Sequence, residues 1–151
     1  MKKEEGMGII AIILVIILIA LLGFLTYYFI KNTAKDKKVE DIKANMLLIQ
    51  GKCKVISETS KVNKNENSFK GRKISDIKED SIISEFLSKG ILPEDKLDKY
   101  YALSNDDLKS MELDITNEEN SYYIVNYEEN TVFITAGYTN ENEEEIVYKL
   151  D

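Results

Sequence analysis

Residues 9–30, IIAIILVIILIALLGFLTYYFI, carry no charged side chain, and no other property of the chain narrows its fold as much. Sixteen of these positions are Ile, Leu, Val or Phe. At roughly 0.3–0.6 kcal/mol each they favour transfer into a bilayer by about 5–10 kcal/mol in sum. As an α-helix rising about 1.5 Å per residue the run is roughly 33 Å long, enough for a hydrocarbon core about 30 Å thick. Its many β-branched residues suit a helix in water poorly. Lipid, however, offers backbone N–H and C=O groups no partners outside the helix, which makes the helix obligatory there. The run has no period-two alternation, so a barrel strand is excluded. The rest of the chain is short, and with 31% charged residues overall it is a poor candidate to enclose such a helix on all sides. Tyr27 and Tyr28 suit an interfacial aromatic pair. A single transmembrane helix over residues 7–30 is the expectation.

What remains has room for one small domain. The chain has no His, no Trp and one Cys. Ser/His/Asp triads, Cys/His pairs and His-based metal sites therefore cannot be built, and an intramolecular disulfide is ruled out. Carboxylates are plentiful, but none forms a pair with identifiable roles, and no Gly-rich phosphate loop or metal-ligand spacing is present. No enzymatic activity, catalytic residue, cofactor or metal is expected. The formal net charge of −7 argues against a general nucleic-acid binder. That charge is unevenly spread: residues 31–73 hold 12 basic and 5 acidic residues, residues 74–151 hold 6 basic and 20 acidic ones. Either both regions are solvated faces, or the basic part of one copy meets the acidic part of itself or of a neighbour. In the second case, lateral association weakens with salt.

After the span, Val39, Ile42, Met46, Ile49, Cys53 and Ile56 recur at spacings of three and four, the seam of a heptad, and no proline interrupts residues 9–60. The pattern predicts an amphipathic helical stalk over 31–60, with Gly51 costing about 1 kcal/mol against Ala. The seam packs either on the chain's own domain or on a coiled-coil partner, and Cys53 reads as a small buried hydrophobe. Residues 60–73, SKVNKNENSFKGRK, lack periodicity and read as a surface loop. Its lysines could cradle a phosphate backbone, but without an aromatic–basic repeat no nucleic acid is expected.

From Ile74 to Lys89 the residues Ile82, Ile83, Phe86 and Leu87 share a helical face, which Gly90 is placed to end. Ser104 and Asp107 have the spacing of a capping box for a short helix through Leu108 and Met111. The segments 121–127, 131–136 and 145–150 alternate with period two and predict a three-stranded antiparallel meander. Its one apolar face comprises Tyr123, Val125, Tyr127, Val132, Ile134, Ile146, Tyr148 and Leu150. A small sheet needs a cover, and the Val39–Ile56 seam is the obvious one. Residues 140–145, NENEEE, offer oxygen ligands for calcium but lack the spacing and turn glycine of a defined loop, so a solvated hairpin tip is favoured. The fold expected is α+β: a long N-terminal helix packed on a small three-stranded C-terminal sheet, with short helices between and a globular part over 61–151.

The leader MKKEEG runs directly into the apolar helix, which is too long for the core of a secretory signal peptide. A short charged leader ending in Gly6, then a hydrophobic helix that becomes amphipathic, resembles the N-terminal signal of type IV pilins and type II secretion pseudopilins. The segments YYALSNDDLKSMELDI and YYIVNYEENTVFITAGY likewise resemble the globular part of pseudopilin-like proteins. The resemblance implies cleavage between Gly6 and Met7 by a prepilin peptidase, methylation of the new N-terminus, a cytoplasmic leader 1–6, and an extracytoplasmic domain in the cytoplasmic membrane. It further implies assembly with other pilin-like subunits, in a filament at the cell surface. The lysines after the span, Lys31, Lys35, Lys37, Lys38 and Lys43, outnumber Lys2 and Lys3 before it, and the positive-inside rule alone points the C-terminus inward. The family carries Glu at the fifth mature position, where this chain has Ala11. That difference favours a minor or membrane-retained subunit, and an uncleaved single-pass protein with a partner-binding domain is the alternative.

Overall fold

A computed structural model describes residues 2–64, 68–139 and 145–150, including side chains except those of residues 2–7 and 32. The chain divides into two compact units between Lys38 and Val39. Helix α1, Lys2–Asn63, contributes to both.

Among the described side chains of the first unit, none is buried. From Ile9 to Ile30 every large apolar side chain is between 50% and 68% exposed, and the most apolar window has a mean hydropathy of 3.3. The hydroxyls here close on the helix itself: Thr26 Oγ1 donates to the Leu22 carbonyl at 2.8 Å and Thr33 Oγ1 to that of Phe29 at 2.9 Å. Both threonine hydroxyls are thus satisfied by the helix's own backbone.

The second unit is a five-stranded antiparallel sheet in the order β1 (Arg72–Lys73), β2 (Tyr100–Leu103), β3 (Tyr123–Asn126), β4 (Thr131–Thr139) and β5 (Ile146–Lys149). Both faces are covered. On one, Ile42, Met46, Ile49 and Cys53 of α1 pack with Leu103, Tyr123, Val125, Tyr127, Val132 and Ile134. On the other, Ile83 and Phe86 of α2 (Ser81–Ser88) pack with Ile74, Leu97, Tyr100, Ile124 and Phe133. Asp80 caps α2 by accepting from the Ile82 and Ile83 amides at 3.0 and 3.3 Å. Helix α3 (Asn105–Ser110) begins with a full capping box, the Asp107 amide donating to Ser104 Oγ at 3.1 Å and the Ser104 amide to Asp107 Oδ2 at 2.8 Å.

The sheet corrects the expectation of three strands and one apolar face. β2 and β1 extend it to five, and β3 is buried at all four positions. An antiparallel sheet covered on both sides needs apolar residues at successive positions, which hides the alternation on which strand counting depends. Ile146 and Tyr148 do not join the α1 face. Ile146 is exposed and Tyr148 packs with the α2 side, while Leu150 does join the α1 face. The expected 60–73 loop also shortens: α1 runs on to Asn63, and β1 starts at Arg72. The helix expected over 74–89 occupies only its second half, after a 3-10 turn at Ile74–Asp76.

The displaced β5 residues follow from an irregularity in β4, whose register against β5 shifts between Phe133 and Tyr138. Gly137 lies there at φ +68°, and a Cβ on it would come within 2.5 Å of Ile146 Cγ2 and 2.9 Å of the Tyr148 ring. Gly137→Ala is expected to cost about 2–4 kcal/mol, combining the left-handed backbone with overpacking. Urea denaturation of the full chain in detergent checks this. An unchanged midpoint would show that β5 yields without cost.

Candidate functional site

The residues with a legible role lie along α1, and its two sides do different things. The buried side is the seam. Ile42, Met46, Ile49 and Cys53 are enclosed, and Val39 and Ile56 are partly buried at its ends. Polar contacts fix its register on the sheet: Asn45 hydrogen-bonds the Tyr123 side chain, and Gln50 Nε2 donates to the Asn130 carbonyl at 3.0 Å. These six positions are thereby committed to the chain's own domain.

At the far end of the seam Cys53 meets Tyr127. Burial pushes the Cys53 thiol up to about 12, against a smaller opposing effect of its hydrogen bond with Tyr127. Burial, then the neighbouring Cys53, also raises Tyr127 above its ordinary value. The Tyr127 hydroxyl donates to the Lys70 carbonyl at 2.9 Å and accepts from the Lys70 amide at 2.9 Å. Phe69 stacks on the Tyr127 ring, with centroids 4.3 Å apart and planes at 4°. The chain following α1 is therefore pinned to the sheet through one tyrosine. A neutral thiol of this kind is a packing group and not a nucleophile.

The other side of α1 was missed in the sequence. Leu47, Leu48, Val55 and Val62 are 56%, 57%, 57% and 82% exposed. Ala44, Leu48, Gly51 and Val55 follow the same four-three spacing as the buried seam, rotated to the opposite side of the helix. Gly51 has no atom within 4 Å of an added Cβ, so this face is open at its centre. The spacing was the available signal, masked by the stronger seam beside it.

Gly6 and Met7, the expected processing pair, lie in α1, but their side chains are outside the described residues. So are residues 140–144 of the segment weighed for calcium. Among the described residues no three His, Cys, Asp or Glu side chains group as metal ligands. A cleft of about 480 Å³ is lined by Ser57, Ser60, Lys61, Lys64, Phe69 and Glu128. Across Phe69 a smaller one of about 210 Å³ is lined by Lys73, Asp98, Lys99 and Tyr101 among others. A third, of about 400 Å³, opens between α2 and β4.

No protein-family model, curated protein or solved structure matches the chain. The fold is an α+β domain built on the amphipathic part of a helix whose residues 9–30 are apolar and exposed.

Proposed function

We propose that the chain is a structural subunit, of the minor kind, of a type IV pilus or a type II secretion-like pseudopilus. In this reading it is anchored in the cytoplasmic membrane by residues 7–30, with its domain displayed outside and no catalytic role. The observation that carries the proposal is the uncovered apolar run of α1, where every large side chain from Ile9 to Ile30 is at least half exposed. Such a surface is stable only against lipid or against other apolar helices. The exposed Leu48–Val55 stripe supports the second environment, because it gives the amphipathic part of α1 a face left over for neighbouring helices. Partners in this reading are the membrane, a prepilin peptidase and other pilin-like subunits.

Mass spectrometry of the mature N-terminus tests it. A chain starting at N-methylated Met7 is expected in cells with an active prepilin peptidase, and an intact Met1 there would sink the proposal. Ala11 favours a second reading, an uncleaved single-pass protein whose domain binds a partner. Without a carboxylate in the span, nothing drives this helix to pair a charge by leaving lipid for a filament. Topology mapping separates the two, since a cytoplasmic C-terminus fits only the second.

A further inference from the structure

A hydroxyl inside a helix ordinarily closes on the carbonyl four residues back, as those of Thr26 and Thr33 do at 2.8 and 2.9 Å. Ser57 departs from that habit. The residue is only 5% exposed, yet its Oγ has no hydrogen-bond partner among the described residues. Ser57 Oγ is not one of the fully enclosed unpaired atoms, which are Asn126 Nδ2, Asn130 Oδ1 and Thr131 Oγ1. It opens instead on the cleft of about 480 Å³ beside Phe69, which Lys61 and Lys64 also line.

Both lysines are exposed, and among the described residues no ion pair joins either to a carboxylate. Glu128 also lines the cleft, but Lys99 Nζ holds its two oxygens at 3.0 and 2.8 Å. A lysine in the last turn of a helix ordinarily offsets the C-terminal carbonyls, which accounts for the place of Lys61 in α1. It does not account for a hydroxyl left open beside it. Phe69 forms an aromatic wall that is fixed in place. Its ring stacks on Tyr127 with centroids 4.3 Å apart, and the Tyr127 hydroxyl is tied to both the amide and the carbonyl of Lys70. Two cations, a neutral donor and this wall therefore meet in a cavity of the size that takes small organic ligands.

We propose that this cleft binds a phosphate monoester carried on an apolar or aromatic body. At neutral pH the monoester has a charge of about −1.5 to −2 and three strong acceptor oxygens. Lys61 and Lys64 balance that charge, and with the Ser57 hydroxyl they offer one donor to each oxygen. A carboxylate or a phosphodiester brings a single charge and two free oxygens, and so leaves one lysine and one donor unused. The cavity exceeds the phosphate group, and its remaining space lies against Phe69, where the organic body would rest. With a formal net charge of −7, most of the protein repels a dianion, so this local set decides where one binds. The inference concerns the domain alone and does not depend on the pilus reading.

The test is a calorimetric titration of the full chain in a neutral detergent. One arm uses phenyl phosphate for a soluble monoester, the other dihexanoyl phosphatidic acid, below its micelle concentration, for a lipid headgroup. Saturable uptake of one ligand per chain is expected, and the tighter of the two identifies the source. Methyl phenyl phosphate, the singly charged diester, should bind at least about tenfold more weakly than phenyl phosphate. Lys61→Gln, Lys64→Gln and Ser57→Ala each remove a hydrogen bond to a charged group and should each weaken binding at least about tenfold. Lys73→Gln, at the smaller cleft across Phe69, should change nothing. Circular dichroism confirms folding, and the two variants at exposed lysines carry the test if Ser57→Ala unfolds. Three outcomes overturn the proposal: neither monoester binds, the diester binds as tightly as the monoester, or a folded variant of the three binds like wild type.

Discussion

Between pH 9 and pH 12 the domain is expected to lose about 3 kcal/mol of stability through Cys53 alone. The ordinary thiol value is 9.0 and the folded one about 12, so over that interval the unfolded chain has released a proton that the folded chain still holds. Raising the pH then favours unfolding by about 1.36 kcal/mol per pH unit for this group. The stabilisation is fully present below pH 9 and is lost as the pH climbs through the folded value. Tyr127 acts with the same sign above its ordinary 10.0, since burial and then the neighbouring Cys53 raise it. Burial raises Tyr100 and Tyr123 as well. All of these losses have the same sign, and that of Cys53 is already a large fraction of the net stability of a small domain, about 5–15 kcal/mol. Urea titrations of the full chain at several pH values, followed by circular dichroism, measure the slope. In Cys53→Ala the fall should be shallower by about one proton's worth, about 1.4 kcal/mol per pH unit. Identical slopes in the two proteins would remove the thiol as the cause.

The parts of this fold legible in the sequence are those whose signal is local. The seam from Val39 to Ile56 repeats at three and four over five turns, and Ser104 with Asp107 needs only a spacing of three to form a cap. The strands of the β3–β4 hairpin were likewise visible as paired apolar segments around Glu128-Glu129-Asn130. What stayed hidden depends on contacts far apart in sequence. β1 is two residues long and is a strand only because Arg72 pairs with Ala102. β2, YYAL, is apolar throughout because one side of it meets Phe69 and Tyr127 while the other meets Ile74 and Phe133. The run YYIVNY in β3 held a clue, since near-continuous apolar sequence in a strand means cover on both faces. Taken as period two, it supplied one face and lost the other.

The two sides of α1 join these observations into one physical picture. A helix with a single apolar side is satisfied by one partner, and here the sheet is that partner. A helix with a second apolar stripe, at Leu48, Val55 and Val62, still has surface to cover. In the proposed reading, the apolar run is covered by lipid and the outer stripe by neighbouring helices. Helix contacts would supply most of the affinity, because apolar burial is not screened by salt.

Placing arginine at Ile17 and Leu21, near the middle of the apolar run, is expected to take the chain out of the membrane. Each substitution exchanges a residue that favours insertion by roughly 0.3–0.6 kcal/mol for one that opposes it by about 2.5–3.5 kcal/mol. The pair therefore costs about 6–8 kcal/mol, comparable with the whole 5–10 kcal/mol that the sixteen large apolar residues provide. Extraction of membranes with alkaline carbonate reads the result: wild type remains in the pellet, and the double-arginine chain moves to the supernatant or aggregates. Ile17→Ala with Leu21→Ala gives up far less and should stay in the pellet. Leu48→Arg with Val55→Arg makes the informative contrast. That pair charges the exposed stripe of α1 and not the span, so the chain should stay in the pellet while cross-linking between copies falls. Were the double-arginine span to resist extraction as fully as wild type, insertion of residues 9–30 into lipid would no longer explain how the chain is held, and the subunit reading would lose its anchor.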